Sequence, residues 1–376
     1  MDIYITMDGQ GGLYMKTFVG SGSGPVSKAL QEATSGLQNP KMIMFVAPYE
    51  QMAETARIIK EKYPKTQSIG TCGTSFENGA VSDNATVVVG FFEDVVVRCG
   101  VIHELKTCPL AYIKSVQDNV TAVSPGVEDS VFIEFCTNNE EKLVSTLYTY
   151  LVKKNLPLLG GTTFGVPDGK ENLVAYEGNV YGDSCVYAII KNTTGKVKTY
   201  KVNIYEKNDR ISHFATKVDP ITRILYELDG RPAADVYSEA LDVPKNKIID
   251  NVLKNPIGRV VEDRVYISSM YELKGNGGLV NYKQINKNDC IYFLKLGDYD
   301  EIERNQREEI KNDFRKISFV FSVDCIYRYL LYKNENYIGT YAKNMAALGP
   351  HVGIVSGGEQ YVNQHCNQTL VCAVFE

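Results

Sequence analysis

The stretch KMIMFVAPYEQMAETARIIKEKYPKTQSIGTCGTSFENG, residues 41–79, sets a pattern to which the rest of the chain returns. MIMFVA is a continuous apolar run, as a strand covered on both faces requires. Pro48 follows at what reads as the first turn of a helix, where a missing N–H costs nothing. Met52, Ala56, Ile59 and Tyr63 then recur at helical spacing. Pro64 ends that helix, a short run closes on Ser-Ile-Gly, and TCGTS reads as a glycine turn. ATVVVGFF (85–92) and VVVRCGVI (95–102) read as paired strands after it.

The pattern recurs twice. VFIEF (131–135) leads into a helix carrying Leu143, Leu147 and Leu151, with Asn138 or Asn139 as its cap. Pro157, LLGG, the turn TTFG, CVYAII (185–190) and the returning strand KVKTYKVNI (196–204) complete that copy. FVFSV (319–323) opens the third, followed by the helical stripe Ile338, Tyr341, Ala342, Met345 and Leu348, then SGGE and TLVCAVF. Gly70, Gly160 and Gly353 align across the copies, where glycine permits positive φ and close backbone approach. The expected fold is α+β or mixed α/β, with internally duplicated β-α-β-β units forming mixed sheets flanked by helices. The division is expected near residue 218, with two units in residues 1–218 and the third in 219–376. The latter part opens with ITRILYELDGRPAADVYSEAL (221–241), read as strand, Asp-Gly turn and helix with Pro232 at its start. DYDEIERNQREEIKNDFRK (298–316) reads as a solvated helix.

Bulk composition narrows the function. The chain has 376 residues, 44% hydrophobic and 23% charged, as in ordinary globular proteins. Forty basic residues against 45 acids, with no basic stripe, give no footprint for nucleic acid. The opening MDIYITMDGQGG lacks the basic and apolar regions of a signal peptide. No apolar run approaches the ~20 residues that span a bilayer, since the valines at 95–97 end at Arg98. Nine scattered cysteines without a CxxC pair read as reduced thiols. A cytoplasmic protein is expected.

Motifs for catalysis are scarce. There is no GxxxxGK[ST], HExxH or GxSxG. VGSGSGPVSKAL (19–30) lacks GxGxxG spacing and reads as a glycine-rich lead into a helix. Cys72, on the TCGTS turn, is a candidate nucleophile in type. Only His103, His213, His351 and His365 could serve as its base, and nothing local ties one to it. Glu359, His365 and Cys366, with His351 as a fourth ligand, match no zinc spacing, and adjacent His365 and Cys366 point to opposite faces of a strand. No metal, cofactor or enzymatic activity is expected.

GIVSGGEQYVNQHCNQTLVCAVF (353–375) crowds polar groups beside a buried strand, and such groups are costly to bury without partners. SGGEQ…HCNQTLV in this segment resembles the end of the FIST C-terminal domain, with its "GE" turn and later "NQT". FVFSVDCIYRYL (319–330) is similar to the family's "FS-C-R" stretch, placing Arg328 at the arginine. YELDGRPAADVY (226–237) resembles its "YE-DG-PA" segment, and FVAP…PKTQSIGTCGTSFENG resembles the FIST N-terminal domain. Three features depart from the family. Ser75 stands where a glutamate is frequent, Cys325 is displaced, and INKNDCIYFL (285–294) replaces a glycine turn.

The resemblance implies a sensory module of signal transduction that binds a small ligand, an amino acid or similar metabolite, and signals through a partner protein. Glu359 offers a carboxylate for an ammonium, and Arg328 a fork for a carboxylate. His365, Asn367, Gln368 and Thr369 surround them, with Ser356, Gly357 and Gly358 of the turn and Thr71 and Cys72 of the first. The same groups could instead only hold the last strand. A ligand-free interaction scaffold and a Cys/His-dependent enzyme are the alternatives.

Overall fold

The computed structural model describes residues 14–208, 212–261 and 264–376. The opening segment MDIYITMDGQGG, read for a signal peptide, lies outside the described residues. Among the described residues the apolar runs are strands in mixed sheets, and helices cover them. Met42–Ala47, Ser130–Cys136 and Phe319–Cys325 are buried at every position.

Three six-stranded sheets share one order of roles. In the first, Thr17–Ser23, Ala85–Phe91, Met42–Ala47 and Gln67–Cys72 stand side by side, and the hairpin Val174–Tyr176 and Asn179–Tyr181 extends the far edge. The second runs Val95–Ile102, Cys185–Asn192, Ser130–Cys136 and Leu158–Thr162, extended by Glu359–Tyr361 and Gln364–Cys366. The third runs Val197–Asn203, Thr369–Phe375, Phe319–Cys325 and His351–Ser356, extended by Ser75–Glu77 and Ala80–Ser82. In each sheet the third and fourth strands are parallel, and helix lies between them in the chain, as a parallel pair requires. Each hairpin belongs to another sheet than the strand that precedes it. The hairpin after the first turn joins the third sheet, that after the second joins the first, and that after the third joins the second.

One expectation is corrected. Ala85–Phe91 and Val95–Ile102 do not pair; the first lies on Met42–Ala47 and the second on Cys185–Asn192. Cys185–Asn192 and Val197–Asn203 part in the same way. The reason is the central core. Val87, Val89, Val95 and Val97 belong to one apolar cluster with Ile133, Phe135, Phe321, Val323 and Val371, so the chain passes from sheet to sheet around shared contacts. Opposite faces pack on helices, for example Phe45 and Ala47 on Met52–Lys62, and Phe132 on Glu140–Leu151.

Gly70, Gly160 and Gly353 occupy matching places in the second parallel strand, opposite Phe45, Glu134 and Ser322. A Cβ there would come within 2.3 Å of the Phe45 ring, of the Glu134 carbonyl oxygen and of Ser322 Oγ respectively. Close approach, not turning, fixes these glycines.

A further antiparallel sheet contains Ser212–Asp219, Ile224–Leu228 and Cys290–Phe293 and packs on Ala233–Leu241. Asp229 and Gly230 take φ of 51° and 78°, the left-handed turn expected of Asp-Gly. The charged segment is a helix, Tyr299–Asp313, but it is not wholly solvated, since Glu303 and Ile310 are buried.

Candidate functional site

The turns after the second parallel strands meet one another. Thr71 Oγ1 lies 3.0 Å from Thr163 Oγ1. Gly357 N donates to Thr162 O at 2.9 Å, and Thr162 N to Gly358 O at 3.0 Å. Val355 N donates to Thr74 O at 3.0 Å. Each turn is thus bonded to the other two, at the carboxyl ends of parallel strands, where α/β sheets commonly hold ligands. Gly73, at φ 127°, leaves so little room that a Cβ would sit 2.3 Å from Phe164 O.

Glu359 is fully buried beside this junction. Ser356 Oγ donates to its Oε1 at 3.0 Å, and Thr369 donates to Oε2 from N at 3.2 Å and Oγ1 at 2.7 Å. Burial nevertheless pushes its pKa up to about 8, against the pull of these donors. At neutral pH the carboxyl is therefore mostly protonated.

His365 sits on the adjoining strand. Its Nδ1 lies 3.2 Å from Gln360 Nε2, and its Nε2 lies 3.4 Å from Asn367 Nδ2. Gly358 makes space for the ring, since a Cβ there would meet His365 Cε1 at 2.4 Å. Burial lowers the His365 pKa, although the Glu140 carboxylate pulls the other way. Burial works to raise Glu140, but His365, the residue's own backbone N–H and the Thr162 hydroxyl hold it below the usual carboxylate range. Thr162 Oγ1 donates to Glu140 Oε1 at 2.9 Å.

Asn367 and Gln368 reach the other way. Asn367 Oδ1 accepts from Ser269 N at 3.3 Å, and Gln368 Oε1 from Ser269 Oγ at 2.6 Å. Gln368 Nε2 donates to Tyr205 OH at 2.7 Å and Val252 O at 3.1 Å. These amides tie the start of the last strand to the neighbouring sheet.

Arg328 stands apart from that hydrogen-bonded group. Its guanidinium bonds Glu303 and Asp324, the latter at 3.0 Å from Nε to Oδ1. Two surface cavities also lie elsewhere. One of about 500 Å³ is lined by Lys41, Lys65 and Arg98, and one of about 250 Å³ by Lys247, Asn251 and Glu335.

Cys72 is buried, and burial pushes its thiol up to about 12. The four histidines bond other groups: His103 to Ser184, His213 to Asp229, His351 to Ser322, and His365 as above. A thiol so hard to ionise is a poor nucleophile. Iodoacetamide is expected to label exposed Cys108 and to spare Cys72 until the chain unfolds. Mass mapping that finds Cys72 alkylated in the folded protein would restore a nucleophile there.

Sequence reading missed Glu140, Thr162, Glu303 and Asp324. Asp324 did carry a signal, an acid inside the apolar run FVFSVDC.

Among curated proteins, an uncharacterized protein of Methanocaldococcus jannaschii is 25% identical over 219 residues, covering 54% of this chain and 41% of the relative. The match thus spans about two fifths of the relative's length. The FIST N domain model matches residues 42–231 and the FIST C domain model residues 233–362. Spans of that extent, meeting at the short strand Arg231–Pro232, leave one conclusion: the chain belongs to the FIST family of signal-transduction sensory domains.

Proposed function

We propose that this chain is a cytoplasmic sensory module that reads a small polar metabolite, an amino acid or a close relative, at the junction of the three turns, and signals through a partner protein. The observation that carries the reading is Glu359, a buried carboxyl held by Ser356 and Thr369 where the turns bond one another. Gln360 on the same strand, His365 on the paired strand Gln364–Cys366 and Glu140 at the start of the helix Glu140–Leu151 carry groups able to complete a polar ligand's hydrogen bonds. An incoming ammonium would stabilise ionised Glu359 and so release its proton. Entry requires the hairpin Glu359–Tyr361 and Gln364–Cys366 to part from the turn at Thr162.

A thermal-shift screen against amino acids and related metabolites tests the reading. A ligand at 100-fold above its Kd adds about 2.7 kcal/mol. The hit should bind with proton release, measured by calorimetry in two buffers, and Glu359→Gln should weaken it by about 1.5–3 kcal/mol. A second reading, a scaffold without ligand, draws on the full pairing of the Glu359 carboxyl within the chain. It predicts no hit and a lowered Tm in Glu359→Gln.

A further inference from the structure

The larger surface cavity, of about 500 Å³, is shared between two sheets. Lys41, Lys65 and Gln67 come from the amino ends of the parallel strands Met42–Ala47 and Gln67–Cys72, and Val96 and Arg98 from Val95–Ile102. Its walls are held in place. Thr66 Oγ1 donates to Pro40 O at 2.7 Å, Gln67 N to Lys41 O at 3.3 Å and Cys99 N to Gln67 Oε1 at 2.9 Å. This is the end of the sheet opposite to the junction of the turns, about 20 Å away by the rise of a six-residue strand.

The lining carries Lys41, Lys65 and Arg98 and no acidic residue, in a chain whose net charge is -5. Among the described residues none of the three is paired with a carboxylate. Lys41 Nζ donates to Glu93 O at 3.3 Å and Arg98 Nη1 to Val97 O at 2.9 Å, both neutral carbonyl oxygens. The strand with the same role in the third sheet, Val197–Asn203, shows the opposite arrangement. There Lys198 and Tyr200 each reach Asp313 at 2.6 Å, so the helix Tyr299–Asp313 supplies the counter-charge.

We propose that this cavity binds the phosphate group of a small phosphorylated metabolite. A phosphate monoester carries close to two negative charges at pH 7, and its oxygens suit a guanidinium fork with ammonium point charges beside it. The volume falls in the range of small-molecule sites, larger than a phosphate ion fills, and Pro40 and Val96 offer apolar wall to the rest of the molecule. The site is separate from Glu359 and does not rest on the sensory reading.

Phosphorus NMR of the whole chain tests this, with inorganic phosphate and phenyl phosphate as probes at matched ionic strength. Both resonances are expected to broaden on adding protein, with phenyl phosphate bound at least as tightly. Lys65→Gln combined with Arg98→Gln should weaken both by at least about tenfold. These residues are exposed, so the Tm should stay near that of the parent. Lys153→Gln with Lys170→Gln removes the same charge from exposed lysines outside the cavity and should leave binding unchanged, as should Glu359→Gln. Four results would each overturn the assignment: no broadening, broadening that survives the cavity substitutions, an equal loss in either control, or phenyl phosphate bound more weakly than inorganic phosphate.

Discussion

Replacing Arg328 with methionine is expected to cost about 3–5 kcal/mol, because it would leave buried Asp324 without its cation and buried Glu303 with only Arg307, 3.5 Å away. Arg328 is fully buried. It bonds Glu303 on the helix Tyr299–Asp313 and Asp324 in the strand Phe319–Cys325. The guanidinium also lies over the rings of Tyr332 and Tyr341, 5.0 and 5.2 Å from their centroids. Those tyrosines complete the group, since Tyr332 OH donates to Glu303 at 2.8 Å and Tyr341 OH to Asp324 at 2.7 Å. Three helices and a strand are held by one side chain. Arg328→Lys should recover only part of the loss, because an ammonium cannot fork between two carboxylates. Urea unfolding at pH 7 measures both variants, with Glu303→Gln in the Arg328→Met background expected to restore part of the stability. A cost below about 1 kcal/mol, paired with lost ligand affinity, would return Arg328 to the ligand role suggested by the family resemblance.

The contrast between Arg328 and its neighbours shows what the sequence can carry. Apolar runs such as MIMFVA and VFIEF revealed the strands because burial on both faces leaves no polar alternation. The exchange of hairpins was hidden, because a three-residue strand such as Glu359–Tyr361 looks the same at any sheet edge. Short connections suggested pairing at residues 85–102, but the pairing depended on a core assembled from all three sheets. At the site, crowded polar residues beside an apolar strand drew attention to Ser356, Glu359 and Thr369, and the first and last of these both donate to the Glu359 carboxyl. Arg328 was assigned to a ligand because its true partner, Glu303, hides in a highly charged helix. Glu303 and Ile310 are seven residues apart, two helical turns, and so share a buried face. That spacing was the available signal, and the charge around it masked it.

Between pH 6.5 and 8 the protein is expected to lose stability as pH rises, and Glu359 and Glu134 are the cause. Burial pushes each carboxyl up to about 8, against an ordinary 4.5. The folded state then holds more protons than the unfolded one across that interval, so stability present below pH 4.5 is lost as pH climbs through 8. Each group contributes up to about 1.4 kcal/mol per pH unit, tapering near its folded pKa. Buried histidines act in the opposite sense at lower pH. His351 is lowered to about 3 from 6.5, and His365 is also lowered, so folding gains as pH rises toward 6.5 and these rings deprotonate in the unfolded chain. Above 6.5 both rings are largely neutral in either state, and the glutamates set most of the slope. Asp324, raised by burial to about 6, joins them in the same direction near pH 6.5, and buried thiols such as Cys136 and Cys185 do so toward pH 8. Glu359→Gln keeps the shape of the protonated side chain, with its amide able to face Ser356 while its oxygen accepts from Thr369. Urea unfolding at half-unit steps should therefore give a shallower slope in Glu359→Gln or Glu134→Gln, and the shallowest in the double variant, where Asp324 and the buried thiols still contribute. If Glu359→Gln retains the full slope, Glu359 is already ionised at pH 6.5, and a ligand ammonium would bind there without releasing a proton.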